Sequence, residues 1–173
     1  QFFAASLRKH GVRVASPIEQ ESAGSLPDVA RVESSDLSAI VQHTLELSDN
    51  EAAEVLARQV AIAEGLPATF HGGTTAVQRV LRSLGVDLRG AVILDGSGLS
   101  RDNRLSPRTL LDVLSTAARK PRLRTVVTGL PVAGFTGSLA YRFESAPRAA
   151  LGQVRAKTGT LSGVSGLVGT VVT

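Results

Sequence analysis

The chain has no cysteine, no methionine and no tryptophan, and only 3% of its 173 residues are aromatic. Without cysteine it can form neither disulfides nor thiolate metal sites, and its redox compartment is left open. Without large aromatic side chains, the core has to be assembled from Val, Leu, Ile and Ala. The 43% of hydrophobic residues supply that core for one domain of ordinary size and argue against disorder. No uninterrupted apolar run approaches the ~20 residues of a membrane span, and the N-terminus lacks a basic region followed by an apolar stretch and a cleavage site. Charge of one sign is also scarce: 19 basic against 15 acidic residues give +4. The arginines are spread without aromatic interleaving or a basic stripe, which argues against a nucleic-acid surface. The opening QFFAASLRKHG already reads as the inside of a helix, so part of a longer protein is expected.

What is present has a clear order. Phe2, Phe3, Ala4 and Leu7 share one helical face, and Gly11 ends that helix ahead of VRVA, a short strand-like alternation. Ser16 to Ser35, rich in Pro, Ser, Glu and Gly, reads as an irregular connection. Asp36 can cap a helix whose stripe of Leu37, Ile40, Val41 and His43 to Leu45 stops near Ser48. SDNEAAEVLARQVAIAEG then predicts a second helix, capped by Ser48 or Asp49, with Glu51 and Glu54 early and Gly65 at its end. SDN is thus the joint of a helical hairpin. A further helix over about residues 75–84 precedes GAVILDG, a buried-strand candidate entering a glycine turn. Ser106 and Pro107 open the helix LLDVLSTAAR, which ends at Lys120 and Pro121. After the apolar piece TVVTGLPVAG and a loop, VRAKTGTL and SGLVGTVVT are alternating runs about a Ser–Gly turn, which predicts a β-hairpin. Helices followed by antiparallel strands give an α/β (α+β) class, a sheet flanked by helices, with no obvious internal boundary.

Lysine is scarce as well, and its placement is informative. Lys157, one of three, sits among small and hydroxyl residues in VRAKTGTLSG, which leaves room for another molecule to approach its ammonium. Taken alone, Ser48-Asp49-Asn50 is a good helix start and Lys157-Thr158-Gly159 a plausible strand-to-turn transition. Together and in this order they match two of the three signatures of active-site serine penicillin-recognising enzymes. Acyl transfer from a peptide ending in a carboxylate needs a nucleophile, a base, a cation for the carboxylate and donors for the oxyanion. A lysine with a neighbouring threonine hydroxyl suits the carboxylate, and a glycine lets substrate backbone lie close. A serine hydroxyl and an asparagine amide at a helix start can relay a proton and hold a substrate amide.

Over essentially its whole length the chain resembles the C-terminal part of the D-alanyl-D-alanine carboxypeptidase and endopeptidase family, the low-molecular-mass class C penicillin-binding proteins. GVRV, LSDNEAAEVLAR, GLPATFHGGTTAV, ILDGSGLSRDNRLSP, LPVAGFTGSLAYRF and VRAKTGTLSGVSGLVG carry the resemblance, DGSGLSR and KTGTLSGV most specifically. It implies the penicillin-binding-protein and β-lactamase-like transpeptidase fold, with residues 1–173 forming the C-terminal part of one catalytic domain. The activity implied is serine-type cleavage of peptidoglycan stem peptides through an acyl-serine, with β-lactams as acylating ligands, outside the cytoplasm and without metal or organic cofactor. Ser48, Asn50 and Lys157 then stand as catalytic residues, and Lys157, Thr158, Gly159 and Thr160 as substrate-binding ones. The resemblance also implies that Thr160 contributes its backbone N–H to the oxyanion hole.

The nucleophile's Ser-x-x-Lys signature occurs only as Ser6-Leu7-Arg8-Lys9. It lies too near Ser48 for this family and fits polar positions of an amphipathic helix. The nucleophile is therefore expected outside this chain, in the N-terminal part of the same protein, and the segment alone should be inactive. DGSGLSRDN, with Asp95, Ser97, Ser100 and Asn103, lacks the Gly-x-Ser-x-Gly elbow and reads as a turn supporting the site. His10, His43 and His71 have no ligand spacing. His71-Gly72-Gly73 is no phosphate loop. Arg142 and Arg155 could widen the positive field around Lys157, though solvated charge explains them too. Two alternatives remain open: a class A-like β-lactamase, against which RSLGVDLRG lacks the expected glutamate, and a non-catalytic module binding cell-wall peptide.

Overall fold

The computed structural model describes residues 2–15, 24, 27–143, 145–148 and 151–172. The chain falls into two compact units, Gln1–Ser34 and Ser35–Thr173. In the first, α1 (Phe2–Lys9) carries Arg8 and Lys9 in its last turn, where they oppose the negative end of the helix dipole. Gly11 at φ 81° turns the chain, and the Val12 N–H closes on the Leu7 carbonyl. Ala4 is buried, whereas Phe2 and Phe3 are 91% and 74% exposed, so the apolar face read from the sequence is mostly uncovered. VRVA forms no strand: residues 12–15 are irregular and join no ladder among the described residues. Half of the connection expected from Ser16 to Ser35 lies outside the described residues, and 27–35 is irregular.

The second unit starts with α2 (Leu37–Leu47) and α3 (Asn50–Ala63). Asp36 occupies the cap position of α2 but its side chain makes no cap bond. Asp49 caps α3, accepting from the Ala52 N–H at 2.9 Å. Next, α4 (Phe70–Ser83) begins about five residues earlier than the periodicity predicts, at Thr69, whose Oγ1 accepts from the Gly72 N–H at 3.0 Å. Gly72 and Gly73 both serve close approach. A Cβ at Gly72 would collide with the Pro67 carbonyl, and one at Gly73 would lie 3.2 Å from the Ala57 backbone. Here α3 and α4 meet through Ala57, Ala61 and Ala76, all buried, so small residues replace the large side chains the composition lacks.

GAVILDG is a correction. It runs extended with alternating exposure, but its only ladder contact is one bridge, Val92 to Arg104. A strand needs a neighbour, and the described residues supply none there. Then α5 (Pro107–Arg119) matches its predicted start, with the Ser106 hydroxyl accepting from the Thr109 N–H at 3.0 Å. A 3₁₀ turn (Pro121–Leu123) leads into α6 (Arg124–Thr128), so part of the apolar piece at 125–134 is helical. A second 3₁₀ turn spans Gly137–Leu139.

The hairpin closes the chain: β1 (Val154–Leu161) pairs antiparallel with β2 (Val164–Val171) around Ser162 and Gly163, the latter at φ 79°. Lys157 faces Val168 in register and Gly159 faces Gly166. The other edge of β1 is covered only at its start, by Ala133 N–H to the Val154 carbonyl (2.9 Å) and Ala156 N–H to the Pro131 carbonyl (3.0 Å). Five helices, α2 to α6, and an antiparallel two-stranded sheet among the described residues make this unit α+β.

Candidate active site

The two motifs are 109 residues apart in sequence and in contact in space: the Lys157 ammonium donates to Ser48 Oγ at 2.9 Å. Helix pairing brings Ser48 there. It is the C-cap of α2 and lies in the left-handed region (φ 58°, ψ 46°), the only non-glycine with positive φ among the described residues. That backbone turn lets Asp49 cap α3 immediately afterwards and makes Asn50 the first residue of α3. Left-handed backbone disfavours a residue with a Cβ, so the chain holds Ser48 in place against a local cost.

The hairpin supplies the other half. In an antiparallel strand, successive residues direct their backbone groups to opposite edges. Val154 and Ala156 bond toward Pro131 and Ala133, so Thr158 and Thr160 direct theirs to the same edge, beyond the point where it is covered. The Thr158 carbonyl accepts a second bond from the Lys157 ammonium at 3.0 Å. Thr158 Oγ1 donates to Ser138 Oγ at 3.0 Å. A Cβ placed on Gly159 meets nothing within 4 Å, and its cross-strand partner Gly166 is equally open. Burial, which penalises the charged form, holds the Lys157 ammonium below the ordinary lysine value.

A third wall comes from the glycine turn after residue 94. Glu54 of α3 reaches across and accepts from the Gly96 and Ser97 N–H groups at 3.0 and 2.9 Å. Asp95 accepts from Gly98 N–H, Ser100 N–H and Asn103 Nδ2 at 2.8, 2.6 and 2.8 Å. Gly96 packs against α3 so closely that a Cβ would lie 2.8 Å from the Ala53 carbonyl oxygen. Held in this way, Ser97, Gly98 and Leu99 face Ser48, Asn50 and the residues 157–161 across a cleft of about 510 Å³.

Ser48, Asn50, Lys157, Thr158, Gly159 and Thr160 thus all line one cleft. Ser97 and Leu99 lie in DGSGLSR, read from the sequence only as a supporting turn, yet they form a wall of the cleft. Leu110, Leu167 and Val168 were not singled out, because an apolar residue in a helix or strand carries no mark of the surface it lines. Arg142 and Arg155 are absent from the lining, and Arg155 donates to the Thr128 carbonyl at 3.0 Å. Ser6 and Lys9 are exposed on α1. His10 bonds to the Ser6 carbonyl at 2.8 Å, and His43 stands 3.9 Å from Asp49. Among the described residues no three His, Cys, Asp or Glu side chains gather as metal ligands.

The cleft can hold an anionic group near Lys157, pair an extended peptide along the open edge of β1, and pass a proton through Ser48. The family model described as the D-Ala-D-Ala carboxypeptidase 3 (S13) family matches residues 1–173. Carboxypeptidase DacB of Mycolicibacterium smegmatis is 43% identical over 89% of this chain and 36% of its own length. D-alanyl-D-alanine carboxypeptidase of Actinomadura sp. is 37% identical over 98% of this chain and 33% of its own. This chain therefore spans about a third of the length of these relatives. Penicillin binding protein 4 (dacB) from Haemophilus influenzae, solved with a novel β-lactam, superposes with a TM-score of 0.82. That match covers 98% of this chain and 40% of that one at 33% identity, and the two share their fold over this region.

Proposed function

The chain belongs to the D-Ala-D-Ala carboxypeptidase 3 (S13) family, and from that premise we propose that it forms the carboxylate-binding and proton-relay half of a penicillin-binding serine peptidase. The protein would act on peptidoglycan stem peptides at the cell envelope. Among the described residues no helix is long and apolar enough to cross a membrane. The family match favours a carboxypeptidase over a β-lactamase or a non-catalytic wall-binding module.

The observation that carries this reading is the 2.9 Å contact between Lys157 and Ser48 in a cleft left open at Gly159. A peptide ending in D-alanine lies along the uncovered edge of β1, its carboxylate beside the Lys157 ammonium and the Thr158 hydroxyl. The Thr160 N–H points to the carbonyl oxygen of the scissile amide and stabilises the oxyanion. Such a donor is worth roughly 100- to 1,000-fold in rate. Because Lys157 donates to Ser48 Oγ, the Ser48 proton is free to go to the leaving nitrogen as the C–N bond breaks, and Ser48 takes up in exchange the proton released by the attacking serine hydroxyl. The acyl group passes to a serine and water later releases it.

That serine lies in the part of the protein beyond these residues. Beside the cleft is an apolar groove of about 680 Å³ between α2, α3 and α4, lined by Val41, Leu45, Leu56, Val60, Val77 and Leu81. It shares Ser97 and Gly98 with the cleft, so an apolar helix seated there passes directly beside Ser48 and Lys157. We assign the groove to the segment bearing the nucleophile.

Labelling with a fluorescent penicillin tests the reading. The full-length protein should label, and Lys157→Ala should slow labelling by about 100-fold or more. Residues 1–173 alone should stay dark. Strong labelling of that segment overturns the placement of the nucleophile, and a full-length protein that never labels overturns the function.

A further inference from the structure

Thr158 carries a hydroxyl with one proton and two acceptor lone pairs, and its one side-chain partner is another hydroxyl, Ser138 Oγ, at 3.0 Å. Two hydroxyls in contact share one hydrogen bond, so one proton of the pair is left for a third group. In the structure Thr158 donates to Ser138; when the Thr158 proton is drawn to a ligand instead, the Ser138 hydroxyl turns its own proton onto Thr158 Oγ1. Donation into Thr158 Oγ1 also polarises its O–H and strengthens what it donates onward. An anion in the cleft selects that arrangement, because it can only accept.

Ser138 is held for this task from both sides. Its 3₁₀ turn abuts α2 so closely that a Cβ on Gly137 (φ 53°) would collide with the Glu46 carbonyl, two residues before Ser48. On the other side, Leu139 is fully buried and its carbonyl accepts from the Gly134 N–H at 3.1 Å. Thr136 Oγ1 accepts from the Val132 N–H at 3.0 Å, and Val132 is bridged to Arg155 of β1. One turn thus touches the helix that ends at Ser48 and the strand that bears Lys157 and Thr158. Ser138 itself is exposed, so its own side chain takes no part in the core.

We infer that Ser138 is a positioning residue for carboxylate recognition: it orients the Thr158 hydroxyl as a donor toward the terminal carboxylate of the substrate. This rests on the peptidase reading above. It implies that loss of the Ser138 hydroxyl weakens binding of the carboxylate more than it slows chemistry. It further implies that a peptide ending in an amide, which lacks the charge, is little affected.

The test uses the full-length protein with Ser138→Ala and Ser138→Thr, assayed on peptides ending in D-alanine and in D-alaninamide. Ser138→Ala should raise KM for the carboxylate peptide by about three- to tenfold with kcat within about twofold, at an unchanged Tm. Ser138→Thr, which keeps the hydroxyl, should restore KM. Discrimination between carboxylate and amide should fall in Ser138→Ala only. An unchanged KM in Ser138→Ala, or equal losses in both variants, overturns the inference while the peptidase reading stands. Wild-type protein that neither labels with penicillin nor cleaves either peptide removes that reading, and the inference with it.

Discussion

At the scale of single residues, Ser48 and Lys157 each hold a position that costs something locally. Ser48 sits in left-handed backbone, where a Cβ costs about 1–2 kcal/mol, partly offset if glycine replaces it because glycine gains unfolded-state entropy. Ser48→Gly should therefore be more stable than Ser48→Ala by roughly 0.5–1 kcal/mol in chemical denaturation, while both lose the relay and acylate slowly. Equal stability in the two variants would mean that the backbone at 48 relaxes at no cost. Lys157 is desolvated, so its ammonium binds its proton less tightly folded than unfolded. That penalty applies while the group is charged and disappears as pH rises through the lowered folded value toward the unfolded one near ~10.4. Wild-type stability relative to Lys157→Met should consequently increase across that alkaline window. Affinity for carboxylate-terminated peptides should fall there, at lower pH than an ordinary lysine would give, which titration calorimetry across pH can follow. SDN and KTG and their order were legible in the sequence because each is a contiguous run of three residues. The left-handed Ser48 and the Ser138 contact were not, since each depends on backbone geometry or on a partner 20 residues away.

At the scale of elements, boundaries marked by caps were legible and those set by packing were not. Ser106-Pro107 opens α5 as read, and Asp49 caps α3, because both signals are local hydrogen bonds. Helix α4 starts earlier than its periodicity because Gly72 and Gly73 yield to contacts with Pro67 and Ala57, which no local pattern announces. GAVILDG has the composition of a strand and lacks the neighbour that would make it one. The hairpin offers a sharper test, since its glycines differ in what surrounds them. A Cβ on Gly169 would collide with the Arg155 carbonyl and the Ala156 side chain, whereas one on Gly159 meets open space. Gly169→Ala should destabilise the protein by about 1–3 kcal/mol in thermal or denaturant unfolding. Gly159→Ala should leave stability within about 0.5 kcal/mol and still slow penicillin acylation, because the methyl fills space a ligand uses. If Gly159→Ala unfolds the protein as Gly169→Ala does, the open space at 159 is structural and not a binding surface.

At the scale of the whole molecule, the surface of the second unit is unfinished in two places. The groove of about 680 Å³ is lined mainly by aliphatic side chains, and β2 leaves Val164, Leu167 and Val171 more than half exposed. A two-stranded sheet is marginal by itself, and an unpaired strand edge invites association. The composition anticipates this: a chain without large aromatic residues depends on extended aliphatic contact, and these contacts are made only in part here. Because the chain spans about a third of its relatives' length, we assign the missing contacts to the remainder of the same protein. Hydrogen exchange distinguishes this from a self-sufficient segment. In residues 1–173 alone, the amides of β2 should exchange fast and an apolar dye such as ANS should bind the groove. In the full-length protein the same amides should be protected by at least about 100-fold, and dye binding should vanish. Equal protection in both would show that the hairpin needs no further partner, and the cleft between Ser48 and Lys157 would then be complete without a third element, contrary to the placement of the nucleophile on the segment that fills the groove.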